Sequence, residues 1–228
     1  LNQLQESKTD MLMERTKSRP IPSGKISRGG VLAVSLLLLL SGSTLLILKT
    51  NTATLLTGLL TFYWYNAVYT PLKKKTALAI IPGSLVGALP PVAGWLAGGG
   101  SLFDIKIGVI ALYFFVWQIP HFWLLLLLYG NDFKKGGFPV LTDVYSESFI
   151  KKITFVLLVA TVLLGVLITL TGAGKYFVSD LLIYVSSLLM LIAAFSFYRK
   201  NSPDRKDIVK TFVSINLYTL AIITILSA

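Results

Sequence analysis

Asn2, Glu6 and Asp10 recur every four residues, so on a helix over residues 1–14 their side chains stand above one another on one face. Stacked carboxylates repel unless a cation lies between them. Hard oxygen ligands that leave room for water and phosphate oxygens suit Mg²⁺. Arg15, Lys17 and Arg19 follow at once in MERTKSRPIPSGK, and YTPLKKKT supplies Lys73, Lys74 and Lys75. A second acidic point, Asp132, lies beside Lys134 and Lys135 in YGNDFKKGGFP. A metal held by Asn2, Glu6, Asp10 and Asp132, faced by Arg15, Arg19 and the three lysines, is a diphosphate clamp. The competing reading is a solvated helix end followed by ordinary basic loops.

His121 is the only histidine, and it lies in the apolar run from Ile107 to Tyr129. An ionisable side chain at membrane depth is costly to keep there, which favours a functional role facing a cavity. The alternative is a histidine that only hydrogen-bonds a neighbouring helix. Trp117, Gln118 and His121 share a helix face by their spacing. Pro120 removes a backbone donor and is expected to bend the helix. At 1.5 Å per residue His121 lies about 12 Å below Tyr129. Asn66 and Tyr69, in and after the aromatic run Phe62–Tyr65, are further candidates for the wall of such a cavity. The expected arrangement has polar groups at a cytosolic mouth and an aromatic floor.

These residues need elements to position them, and the composition says which. Of 228 residues 54% are hydrophobic and 14% charged, with a mean hydropathy of +0.74. Long runs almost free of charge read as transmembrane helices, because about 20 residues cross the hydrocarbon. The runs are continuous and do not alternate, which selects helices over a barrel. Spans are expected at about 31–48, 52–70, 77–97, 107–129, 152–171, 177–197 and 211–227. The fold class is therefore an all-α integral membrane bundle in a single domain, residues 1–228. Cysteine is absent, which excludes disulfides and thiolate chemistry.

The net charge of +11 is mostly topology. Segments 1–30, 71–76, 130–152 and 198–210 hold eighteen of the 21 Lys and Arg residues, leaving Lys49, Lys106 and Lys175 for the other side. Short cytoplasmic loops carry the basic excess, so these segments are expected in the cytosol and the C-terminus outside the cell (inner) membrane. Gly83, Gly87, Gly94 and Pro90-Pro91 interrupt the third span, as expected for closely packed membrane helices.

The strings MERTKSRPIPSG, YTPLKKKT, IPGSLVGALPP, WQIPHFW, NDFKKGGFPVL and YRKNSPDRK, in that order, resemble the protoheme IX farnesyltransferase (haem O synthase) group of UbiA-type intramembrane prenyltransferases. The resemblance implies a nine-helix bundle, whose first helix and most of whose second are expected upstream of Leu1. It implies transfer of a farnesyl group from farnesyl diphosphate to a vinyl group of haem B, with Mg²⁺ as cofactor. Water then adds to give the hydroxyethylfarnesyl arm of haem O. By resemblance Asn2 and Glu6 occupy the first acidic motif, with Gln3 and Glu6 at its two aspartate positions. Lys8 stands where the family more often has an acid, Asp10, Arg15, Arg19 and Pro20 match, and Asp132 carries the second motif. Implied partners are the two substrates, the bilayer, and haem A synthase or oxidase-assembly proteins, without nucleic acid. A prenyltransferase acting on a quinone precursor would share the acidic ladder and the lysines. A transporter would use His121, Asn66 and broken helices as a pathway.

Overall fold

The computed structural model describes residues 1–173 and 176–227; Lys175, expected among the three basic residues of the opposite side, lies outside them. A short helix α1 (Asn2–Asp10) precedes a turn-rich segment, then α2 (Arg28–Lys49), α3 (Thr52–Tyr63), a π-helix over Trp64–Tyr69 and a last turn α4 (Thr70–Leu72). A 3₁₀ turn (Ala77–Ala79), α5 (Ile80–Gly83) and α6 (Leu85–Ala97) complete the first half. Then come α7 (Ile105–Lys135), a 3₁₀ turn (Leu141–Asp143), α8 (Glu147–Leu170), α9 (Phe177–Arg199) and α10 (Arg205–Ser227). Among the described residues no strand occurs.

Among the described residues six helical stretches are long and apolar enough to cross a membrane: α2, residues 77–97, α7, α8, α9 and α10. The expected span 52–70 is helical along its length, but its last third is a π-helix, so it is not one continuous α-helix. A π-segment widens the backbone ladder by one residue and is frequently found at functional positions. Two side chains hold this one: Trp64 Nε1 donates to Pro82 O at 2.8 Å, and Thr70 Oγ1 donates to Tyr65 O at 2.8 Å.

The chain packs as two compact units, residues 1–101 with 129–140, and residues 102–128 with 141–228. In the first unit α3 packs on α6 and α2. Asn51 caps α3 by accepting the Thr54 N–H at 2.9 Å, and its amide donates to Leu96 O at 2.6 Å, fixing the start of α3 to the end of α6. Helix α2 buries none of its residues, as suits a leucine-rich helix whose solvent is lipid.

In the second unit α9 packs between α8 and α10. Its buried residues, Ile183, Ser187, Met190, Ala194 and Phe197, fall at alternating steps of four and three, so one stripe faces its neighbours. Gly165 on α8 makes room for Tyr218: a Cβ there would stand 1.9 Å from the phenol oxygen, which lies 3.0 Å from Ser187 Oγ. The helical backbone of α7 runs unbroken through Pro120. The helical backbone breaks at Tyr129 (φ −125°, ψ 17°), and a further helical stretch runs from there to Lys135. The segment 130–135, expected as loop, is thus the helix end.

Candidate functional site

The acidic ladder forms as the spacing predicts, because α1 does form and turns Glu6 and Asp10 to one buried face. Glu6 is 3% exposed and Asp10 fully buried. Each is matched by a cation from another segment. Lys73 Nζ lies 2.5 Å from Glu6 Oε1, and one Arg19 guanidinium nitrogen donates to both Asp10 oxygens at 3.0 and 3.2 Å. A buried carboxylate left without such a partner would be strongly destabilising, so the pairs explain how two acids are held at the top of an apolar unit. Lys73 also lies 5.6 Å from the Tyr69 ring centre and 5.5 Å from that of Phe138, a cation between two π faces.

Other contacts dock α1 onto the π-helix. The Asn2 amide donates to Thr70 Oγ1 at 3.3 Å, and Gln5 Nε2 donates to Asn66 O at 3.0 Å. Lys74 Nζ donates to Gln5 O at 2.9 Å, and Arg28 donates to Ser7 Oγ at 3.0 Å. Lys74 is therefore engaged by backbone, while Lys75 is exposed. Tyr69 packs 5.7 Å from Tyr65 and is fitted against Gly83, where a Cβ would stand 2.4 Å from its ring. Asn66 donates to Phe62 O at 2.8 Å, and its side-chain oxygen is buried without a hydrogen-bond partner.

Asp132 belongs to the same unit but does something unforeseen. Its two oxygens accept the backbone N–H groups of Glu14 at 2.8 Å and Arg15 at 3.3 Å. The Arg15 guanidinium lies 5.9 Å over the Phe133 ring. Helix α7 ends here on Gly137, at φ +73°, with Gly137 N–H bonded to Lys134 O at 2.9 Å and Phe138 N–H to Phe133 O at 3.0 Å. This is a Schellman cap, which needs a residue free to adopt the left-handed conformation. The Lys-Lys-Gly-Gly string signals that cap in the sequence; nothing local signals Thr70, Gln5, Met13, Phe133 or Phe138 as neighbours of the charged groups.

Among the described residues no three His, Cys, Asp or Glu groups come together as a metal cluster. Magnesium, however, usually takes only one or two carboxylates and completes its shell with water and phosphate oxygens. Glu6 and Asp10 fit that demand in type and placement: both are carboxylates buried on one helix face.

The second unit holds His121, half-buried between the rings of Trp117 and Phe212, each 4.9 Å away centre to centre. His121 Nδ1 and Trp117 Nε1 are both buried without a hydrogen-bond partner. Gln118 follows Trp117 on the helix and is also half-buried. Unsatisfied polar atoms inside a membrane unit are uncommon and mark places where a ligand or water completes the shell.

A family model described as the UbiA prenyltransferase family matches residues 1–220. The chain is 33% identical over 228 residues to a protoheme IX farnesyltransferase of Flavobacterium psychrophilum, covering 98% of this chain and 74% of that one. It is 43% identical over 143 residues to one of Geobacter sulfurreducens, covering 62% of this chain and 52% of that relative, so the match spans about half the Geobacter protein. A solved digeranylgeranylglyceryl phosphate synthase superposes with a TM-score of 0.71 at 19% identity, over 99% of this chain and 78% of that one. That likeness speaks for the fold alone.

Proposed function

The chain belongs to the UbiA prenyltransferase family, and on that premise we propose that it transfers a farnesyl group from farnesyl diphosphate to a vinyl group of haem B, giving haem O and diphosphate. The observation that carries the reaction class is the pairing of two buried carboxylates, Glu6 and Asp10, with Lys73 and Arg19 in one unit. The haem acceptor rests on the relatives, which are named protoheme IX farnesyltransferases.

Glu6 and Asp10, with Asn2 assisting, would hold Mg²⁺, which when bound supplies positive charge for the diphosphate. Arg15, Arg19, Lys73 and Lys75 bind phosphate oxygens and take up the negative charge that grows as the allylic C–O bond breaks. This is electrostatic stabilisation aimed where charge develops. The Tyr65 and Tyr69 rings present faces that favour an allylic cation and keep water away from it. The haem vinyl group attacks that cation, and water adds to the resulting porphyrin-side cation and releases a proton, so that haem B, farnesyl diphosphate and water give haem O, diphosphate and H⁺. His121 positions the porphyrin, a reading supported by its partnerless Nδ1 and by imidazole's common role as a haem ligand.

The protein is a multi-pass membrane protein. We place its basic segments in the cytosol and its C-terminus outside, from the lysine and arginine asymmetry. The test of the reaction is to incubate membranes carrying the full-length protein with farnesyl diphosphate and either haem B or 4-hydroxybenzoate. Haem O by mass is the expected product; a prenylated benzoate, with haem B unchanged, would overturn the acceptor.

A further inference from the structure

Residues 11–19 carry two of the cations assigned to diphosphate, yet they contain no regular helix or strand. What orders them is the end of α7. Asp132 takes the adjacent N–H groups of Glu14 and Arg15, one on each carboxylate oxygen. Met13, 3% exposed, sits against Gly136, where a Cβ would stand 3.0 Å from its Cγ and Sδ. Arg15 covers the Phe133 ring at 5.9 Å. Further along, Thr16 Oγ1 donates to Asp10 O at 3.0 Å, and Arg19 reaches the Asp10 carboxylate. The segment is thus pinned at one end to the α7 cap and at the other to α1.

Successive backbone N–H groups in a turn form a small anion-binding concavity. Here the anion is internal: it is the Asp132 carboxylate. The Asp132 oxygens are thereby committed to the segment that carries Arg15, and losing them would free that segment. We infer that Asp132 is a positioning residue for prenyl transfer, holding residues 13–15 on the α7 cap so that Arg15 is presented to diphosphate. This rests on the diphosphate seat proposed above.

The experiment uses the full-length protein in lipid nanodiscs, with Asp132→Ala, Asp132→Asn and Arg15→Ala alone and combined. Amide hydrogen exchange is followed over residues 11–19, with the α2 peptides as the folding control. Asp132→Ala is expected to speed exchange in 11–19 and leave α2 unchanged. Asp132→Asn, which keeps an acceptor oxygen, falls between it and wild type and serves if the alanine variant does not fold. In turnover, KM for farnesyl diphosphate rises by roughly tenfold, the size of one lost hydrogen bond to a charged group. Adding Arg15→Ala to Asp132→Ala costs little more than either alone, because residues acting through one another are not additive. Unaltered exchange in 11–19, or fully additive Arg15 and Asp132 effects, would overturn the inference. If the wild-type protein makes no haem O, the proposed reaction fails while the exchange data still decide what Asp132 holds.

Discussion

Phe133 and Phe138 stand 6.0 Å apart, edge to face, across the glycine turn that ends α7, and each carries a cation from a different segment. Arg15 lies over Phe133 and Lys73 over Phe138. One helix cap therefore organises two positive groups far apart in sequence, and the contact between its two rings is the apolar clasp usual for this type of cap.

The Glu6–Lys73 pair gives the first prediction. With Glu6 only 3% exposed, Lys73→Ala leaves a buried carboxylate unpaired and should destabilise the protein by about 3–5 kcal/mol. Lys73→Ala combined with Glu6→Gln should recover most of that loss. Thermal unfolding in detergent, followed by near-UV circular dichroism, measures both. Equal melting of the single and double variants would mean the pair contributes little.

Gly83→Ala is expected to be costly, because its Cβ would stand 2.4 Å from the Tyr69 ring. Overpacking of this kind costs about 1–3 kcal/mol. The displaced ring also leaves Lys73 without one of its two π faces. Gly94→Ala, where nothing lies within 4 Å of the added carbon, is the control and should melt no lower than wild type. A shared drop in melting temperature would point to helix α5–α6 backbone effects and away from Tyr69.

Gly165→Ala should disturb the second unit by forcing Tyr218 out of its place against α8. Tyr218→Phe removes the hydroxyl that clashes and should restore part of the stability in the double variant. Its own cost should be small, since hydrogen bonds inside membranes average about 0.6 kcal/mol. The comparison is read from unfolding midpoints in a denaturing detergent titration.

His121→Ala should weaken haem binding and lower the melting temperature only modestly, through loss of the ring contacts with Trp117 and Phe212 and of the hydrogen bond with Asn216. Titration with haem B, followed by its Soret band, is the measurement. Unchanged haem affinity with unchanged haem O output would remove His121 from the porphyrin site.

Much of this was legible in the sequence because membrane helices advertise themselves. The runs at 31–48, 177–197 and 211–227 foretell α2, α9 and α10, whose ends extend by a few polar residues: Ser27 caps α2 by accepting the Gly30 N–H at 3.1 Å. The four-residue spacing of Glu6 and Asp10 foretells their common face. Which cation meets which acid was not legible, since Glu6–Lys73 is a tertiary contact with no local signature. The π-helix at Trp64–Tyr69 was hidden for a related reason: the contacts that hold it come partly from Pro82 and Gln5, remote in the chain. In the sequence Asp132 belongs to the clamp because its type and its neighbours Lys134 and Lys135 allow that role. Its backbone partners depend on how residues 11–19 fold back, which spacing alone does not encode.

The account turns on whether Glu6, Asp10 and the cations paired with them form a magnesium-dependent diphosphate seat. Calorimetric titration of the full-length protein with a non-reactive farnesyl thiodiphosphate, with and without Mg²⁺, tests this most directly. Binding should depend on Mg²⁺ in the wild type and fall at least tenfold in Glu6→Gln and Asp10→Asn, about 1.4 kcal/mol or more. Equal affinity with and without the metal, and across those variants, would contradict it.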